Sequence, residues 1–245
     1  MSSILQDDPT SSPVSSEMLP AGAPVVPERP AATPRLFRLH SLTYREIRRR
    51  LYHMLPGVLA FVLHVISHQD PVSATLQWIL FGCCALIGLQ ILVSFRKIQR
   101  LGEGGGVAPV AGYTLSVLMT VLLFPGHLEI GLSVLTILAF GDGSATLFGL
   151  LLRGPRLPWN SAKSWSGLTA FILCGTLMTG WMYWGETHNA ESLSAPVAFW
   201  YAVMLVLPAV TVSAFAESIS SRINDNIRVG ISAAVSMTAM HFLLR

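Results

Sequence analysis

The chain has 245 residues, 52% of them hydrophobic and 12% charged, with a formal charge of +3. Soluble domains carry about 25% charged residues, so a mean hydropathy of +0.56 excludes an ordinary water-soluble enzyme and points to an integral membrane protein. The basic balance does not imply nucleic acid, because the Lys and Arg residues are scattered through short segments beside apolar runs, where they set orientation.

Residues 1–43 hold seven of the fifteen prolines and no periodic apolar pattern, which predicts a disordered cytosolic tail. A transmembrane catalytic domain is expected over 44–245. It opens on the basic run Tyr44-Arg45-Glu46-Ile47-Arg48-Arg49-Arg50, which enters a first span at about 54–69. A second span covers about 73–95 and a third about 107–124. A fourth runs from about 128 into Gly141-Asp142 and continues as helix to Leu152, where Arg153-Gly154-Pro155 breaks it. Spans five to seven lie near 166–185, 196–216 and 228–244. The expected fold is therefore all-α and polytopic, with about seven transmembrane helices.

Placing the first basic cluster in the cytoplasm puts fifteen of the sixteen Lys and Arg residues on that side, and only Arg245 opposite. The opposite loops hold Asp70, Glu129, Glu186 and Glu191 and no basic residue. The positive-inside rule then predicts a cytoplasmic N-terminus and an external C-terminus. Cys83, Cys84 and Cys174 fall in apolar runs and read as packed thiols, and no Cys/His spacing resembles a zinc site. Trp181, Tyr183 and Trp184 read as an interfacial aromatic belt.

This topology gathers four polar segments at the cytoplasmic face: Glu46 to His53, Asp142 to Ser144, Asn160 to Gly167, and Glu217 to Asn226. Ionisable groups beside hydrocarbon are costly unless paired or hydrated, so their convergence marks a candidate site. Asp142, Glu217, Asp225 and Asn226 offer hard oxygen ligands of the kind Mg²⁺ takes. Lys163, Arg49 and Arg50 offer positive charge to phosphate oxygens. Gly141, Gly143 and Gly149 permit close approach of backbone to ligand or of helix to helix. A metal and cations around phosphates suit phosphoryl or nucleotidyl transfer.

Each group also has a structural reading. Asp142 could cap the helix that follows it. Arg48 to Arg50 could be a topology anchor, and His53 could cap or pack at the boundary. Glu217 could face Arg222, and Asp225-Asn226 could form a turn before the last span. His64, His68, His127, His188 and His241 fall outside the clusters or on the opposite face and receive no site role. A transporter reading is disfavoured, since the charges gather at one face and no internal repeat is evident.

The motif order resembles the polyprenol kinase family: Glu46-x-x-Arg49-Arg50-x-x-His53, Gly141-Asp142-x-x-Ala145-x-x-x-Gly149, Lys163-Ser164-x-x-Gly167, Glu217, and Asp225-Asn226. That family comprises dolichol kinases, phytol kinases and CTP-dependent diacylglycerol kinases, and is related to the CDP-diacylglycerol synthases. The resemblance implies an Mg²⁺-dependent membrane kinase that transfers the γ-phosphoryl group of a nucleotide, typically CTP, to a lipid alcohol at the cytoplasmic face. By position it implies Asp142, Glu217 and Asp225 as metal carboxylates and Asp142, Lys163 and His53 as catalytic groups. It makes Arg49, Arg50, Gly141, Gly143, Ser164, Gly167 and Asn226 substrate-binding. His53 would contact phosphate or assist deprotonation of the alcohol. Arg50 stands where a Lys is common, Ser166 where relatives often carry Glu, and Gly230 where a Pro commonly follows Asp-Asn. The alternative, a phosphatidate cytidylyltransferase, lacks its fuller Pro-Lys-Lys-Thr-x-Glu-Gly pattern, replaced here by Asn160-Ser161-Ala162-Lys163.

Overall fold

A computed structural model describes residues 44–65, 69–98, 108–221 and 223–245. The expected tail at 1–43 lies outside the described residues, as does Arg222.

Eight helices account for most of the described chain. They are α1 (Tyr44–Val65), α2 (Ala74–Ile98), α3 (Ala108–Leu123), α4 (Leu128–Thr136), α5 (Asp142–Leu152), α6 (Trp165–Glu186), α7 (Phe199–Ser218) and α8 (Asp225–Leu244). A π-helical turn, Ile137–Gly141, joins α4 to α5 without a break, so the expected fourth span is one continuous rod over Leu128–Leu152. It ends where Gly154-Pro155 requires. Arg153 takes the left-handed conformation, φ 44 and ψ 47, because the chain must turn before a proline that cannot continue the helix.

Among the described residues, three helices are long and apolar enough to cross a membrane: Leu128–Leu152, α7 and α8. Every residue of α4 is buried, so its apolar residues are not confined to one stripe. Helices α3, α6 and α8 pack around α4, and α7 in turn packs on α6 and α8. α1 meets α2, α4 and the π turn. Outward faces of α2, α6, α7 and α8 leave Trp78, Leu86, Leu173, Leu177, Trp200, Met204, Val235 and Phe242 exposed. So much contiguous apolar surface suits a lipid surround rather than water.

The expectation of an all-helical chain needs one correction. β1 (Arg156–Leu157) and β2 (Asn160–Ser164) form an antiparallel hairpin, pairing Arg156 with Ser164 and Leu157 with Asn160. Pro155 and Pro158 disfavour helix here, and the hairpin satisfies backbone groups that a bare loop would leave to solvent. The aromatic belt also needs revision. Tyr183 is wholly buried, with its hydroxyl 2.9 Å from His241 Nδ1, while Trp181 is exposed.

Candidate active site

The hairpin places Lys163. Trp159 Nε1 donates to Ser218 Oγ at 3.1 Å and Asn160 Nδ2 donates to the Ser218 carbonyl at 2.9 Å. These bonds pin the hairpin tip to the C-terminal end of α7. Ser164 then starts α6 as its N-cap, its hydroxyl accepting from Gly167 N–H at 3.3 Å. Between tip and cap, Lys163 is directed at Glu217, one residue before Ser218.

The Lys163 ammonium donates to Glu217 Oε1 and, at 3.1 Å, to Asp225 Oδ2. Glu217 is nearly enclosed, its side chain 6% exposed, whereas Asp225 is 45% exposed. Burial opposes the charge on Lys163, but Glu217, Asp225 and Asp142 outweigh it and hold the ammonium above its ordinary value. Asp142 is buried and within electrostatic reach of both Lys163 and Glu217.

Asp142 does not cap a helix. It has helical dihedrals, φ −66 and ψ −38, at the exit of the π turn, so the amides after it belong to a continuous helix. An extra residue in the turn rotates everything beyond it, and such π-bulges recur at functional sites. Gly141 and Gly143 serve close packing around it. A Cβ on Gly141 would lie 2.7 Å from Phe171, and one on Gly143 would lie 2.7 Å from Met54. Gly167 approaches Ala145 just as tightly, since a Cβ there would meet the Ala145 carbonyl at 2.8 Å. Ser166 holds the corner between the rod and α6. Its hydroxyl accepts from Gly154 N–H at 3.3 Å and lies 3.0 Å from Ser164 Oγ.

Asp225 and Asn226 open α8 rather than forming a detached turn. Asn224 caps that helix, accepting from Asn226 N–H at 2.9 Å, and the Asn226 carbonyl accepts from Ser116 Oγ at 3.2 Å. Glu217 finds a partner in Lys163, while Arg222, the partner expected as its alternative, lies outside the described residues. Sequence reading passed over Arg228 as a topology marker. Its guanidinium bonds Asp225 Oδ1 and donates to the Ile219 carbonyl at 2.7 Å. The signal was available, because positions 225 and 228 are helix neighbours three residues apart. The side chains of Glu46, Arg49, Arg50 and His53 lie outside those described, although their backbone is in α1.

Among the described side chains, then, Asp142, Glu217 and Asp225 face Lys163 and Arg228. The three carboxylates offer hard oxygen donors, the donor chemistry that Mg²⁺ accepts. The exposed flank is at Asp225, while Glu217 and Asp142 form the buried wall. This arrangement can hold a cation and present an ammonium and a guanidinium to an anionic substrate.

No family model matches the chain, and no solved structure matches it. Curated relatives do. Probable phytol kinase 2, chloroplastic, of Oryza sativa subsp. japonica is 22% identical over 198 residues, covering 77% of this chain and 64% of the relative. Probable phytol kinase 3, chloroplastic, of Glycine max is 23% identical over 206 residues, covering 77% and 61%. Phytol kinase 1, chloroplastic, of Arabidopsis thaliana is 24% identical over 210 residues, covering 80% and 68%. The chain thus spans somewhat under two thirds of the rice and soybean relatives. These relatives show the resemblance to the polyprenol kinase family that the motif order carries.

Proposed function

We propose that this chain is a membrane-embedded lipid-alcohol kinase that transfers the γ-phosphoryl group of a nucleoside triphosphate, CTP in the first instance, to an isoprenoid alcohol of the phytol class. The observation that carries the reading is the clustering of Asp142, Lys163, Glu217 and Asp225 from four separate elements at one end of the helical unit. The phytol kinase relatives support the acceptor class. In this reading seven spans cross the bilayer, the N-terminus is cytoplasmic, and the cluster faces the cytoplasm, where nucleotide is available.

Asp142, Glu217 and Asp225 would hold Mg²⁺, which supplies charge neutralisation on the phosphate oxygens. Glu217 and Asp225 keep Lys163 protonated and aimed at the nucleotide, where it offsets charge gathering on the leaving phosphate. Arg228 holds Asp225 in place through its own anchor on Ile219. In the transfer, the alcohol oxygen forms a bond to the γ-phosphorus as the bond to the β–γ bridging oxygen breaks. The hydroxyl proton leaves late, as a loose transition state permits, and the products are an alkyl phosphate and a nucleoside diphosphate. Arg49, Arg50, Ser164, Gly167 and Asn226 would line the nucleotide, and His53 would serve the phosphate or the alcohol. The acceptor's hydrocarbon chain would lie against the apolar outer faces of the helices.

The test uses purified chain in nanodiscs with Mg²⁺ and phytol, geranylgeraniol, dolichol, diacylglycerol or phosphatidate. CTP labelled at the γ position should label lipid, and ATP run alongside defines the donor. Label from the α position instead of the γ would replace this reading with cytidylyl transfer. No lipid label with any donor or acceptor would refute both.

A further inference from the structure

At the other end of the same helices lies a second polar cluster. Asp225 and His241 share α8 and are separated by sixteen residues, about 24 Å at 1.5 Å per residue. There, His127 precedes α4, Glu129 lies in its first turn, and His241 lies in the last turn of α8. His127 Nδ1 is 3.1 Å from Glu129 Oε1, and His241 Nε2 is 3.7 Å from the same oxygen. One donor atom from each residue falls within 4.8 Å of the others.

The Glu129 carboxylate is only 1% exposed. Ser194 Oγ donates to Oε1 at 2.6 Å, but the buried Oε2 has no hydrogen-bond partner among the described residues. A buried carboxylate oxygen left unsatisfied costs about 1–3 kcal/mol or more, so the site calls for a cation or donor that the described residues do not supply. We propose that His127, Glu129 and His241 bind a divalent transition-metal ion of the Zn²⁺ class.

Two imidazoles and one carboxylate are a donor set that Zn²⁺ takes when it keeps an open fourth position. Tetrahedral bonds of about 2.0–2.1 Å place neighbouring donors roughly 3.3 Å apart, close to the 3.1 and 3.7 Å that separate the two imidazoles from Glu129 Oε1. The outer shell is already built. With metal on His241 Nε2, the proton resides on Nδ1 and the Tyr183 hydroxyl, 2.9 Å away, accepts it. Tyr183 is itself fully buried in the core. Access is available too, since His127 is 37% exposed and His241 borders an open recess of about 680 Å³ lined by Ser194, Pro196, Tyr201, Leu244 and Arg245. The Arg245 guanidinium is engaged over the Tyr183 ring, 5.8 Å from its centroid.

Full chain carrying a tag without histidine, stripped with chelator in detergent, is titrated with Co²⁺ and then Zn²⁺ in the presence of excess Mg²⁺, which occupies the carboxylate cluster at the other end. Roughly one ion per chain should bind, Co²⁺ should give the absorption of a low-coordinate N/O site, and Zn²⁺ should displace it and raise Tm. Glu129→Gln and His241→Ala should each weaken binding by about 10- to 100-fold or more. His127→Gln, at a half-exposed position that tolerates change, should do the same without loss of folding. His188→Gln, an exposed histidine at the same end but outside the triad, should leave uptake unchanged. Failure of the unmodified chain to take up either ion overturns the site, as does equal uptake by His127→Gln or loss of uptake in His188→Gln.

Discussion

Lys163 is the residue on which the cluster depends. Its ammonium lies between two carboxylates, and removing it leaves Glu217 as a buried charge without its cation. Lys163→Met should therefore abolish phosphoryl transfer and lower stability by about 2 kcal/mol, less than the loss of a fully buried pair because Lys163 is partly hydrated. Thermal unfolding in detergent measures the second effect. The pH dependence follows from the raised folded value. The stabilisation is complete below the unfolded value near 10.5 and is lost as pH rises through the higher folded one. Between about pH 6 and 9 the rate should show no limb belonging to Lys163; a limb that Lys163→Arg removes would contradict this. Asp142 is the sharper test of chemistry. Asp142→Asn keeps the shape and removes the charge, so kcat should fall by about 10²-fold or more with little change in Tm.

At the scale of elements, three local devices build the site. The π turn sets the rotation of Asp142, the hairpin carries Lys163 to the end of α7, and the Asn224 cap fixes where α8 begins. None of them is written in hydropathy. The break at Arg153-Gly154-Pro155 was legible, because glycine and proline act locally. The hairpin behind it was not, since strand pairing depends on which groups meet across the turn. Packing between helices is equally specific. A Cβ on Gly180 would lie 2.8 Å from the Val203 side chain and 3.1 Å from its Cα. Gly180→Leu should therefore push α6 from α7 and cost about 1–3 kcal/mol, read as a lower Tm in detergent. Binding of Co²⁺ and labelling of lipid in the folded fraction should persist.

For the molecule as a whole, the proposed topology makes a clear demand. Reporters fused at the two termini should lie on opposite sides of the membrane, the N-terminal one cytoplasmic; both on one side would require an even number of spans. Cysteine labelling adds a second check. A cysteine replacing Asn160 should react from the cytoplasmic side and one replacing His188 from the other.

Composition and Lys/Arg placement alone pointed to a helical chain with membrane-length apolar segments, to roughly where its helices run, and to Asp142, Lys163, Glu217 and Asp225 as neighbours at one end. Those properties follow from local hydrophobicity and charge, which each segment carries by itself. Only the tertiary structure decided which side chains meet. It showed Asp142 in continuous helix, added Arg228, and joined His127 and Glu129 to His241, residues that sequence reading had passed over. Helix rotation, the π offset and the hairpin register govern those meetings. They arise from packing between segments far apart in the chain.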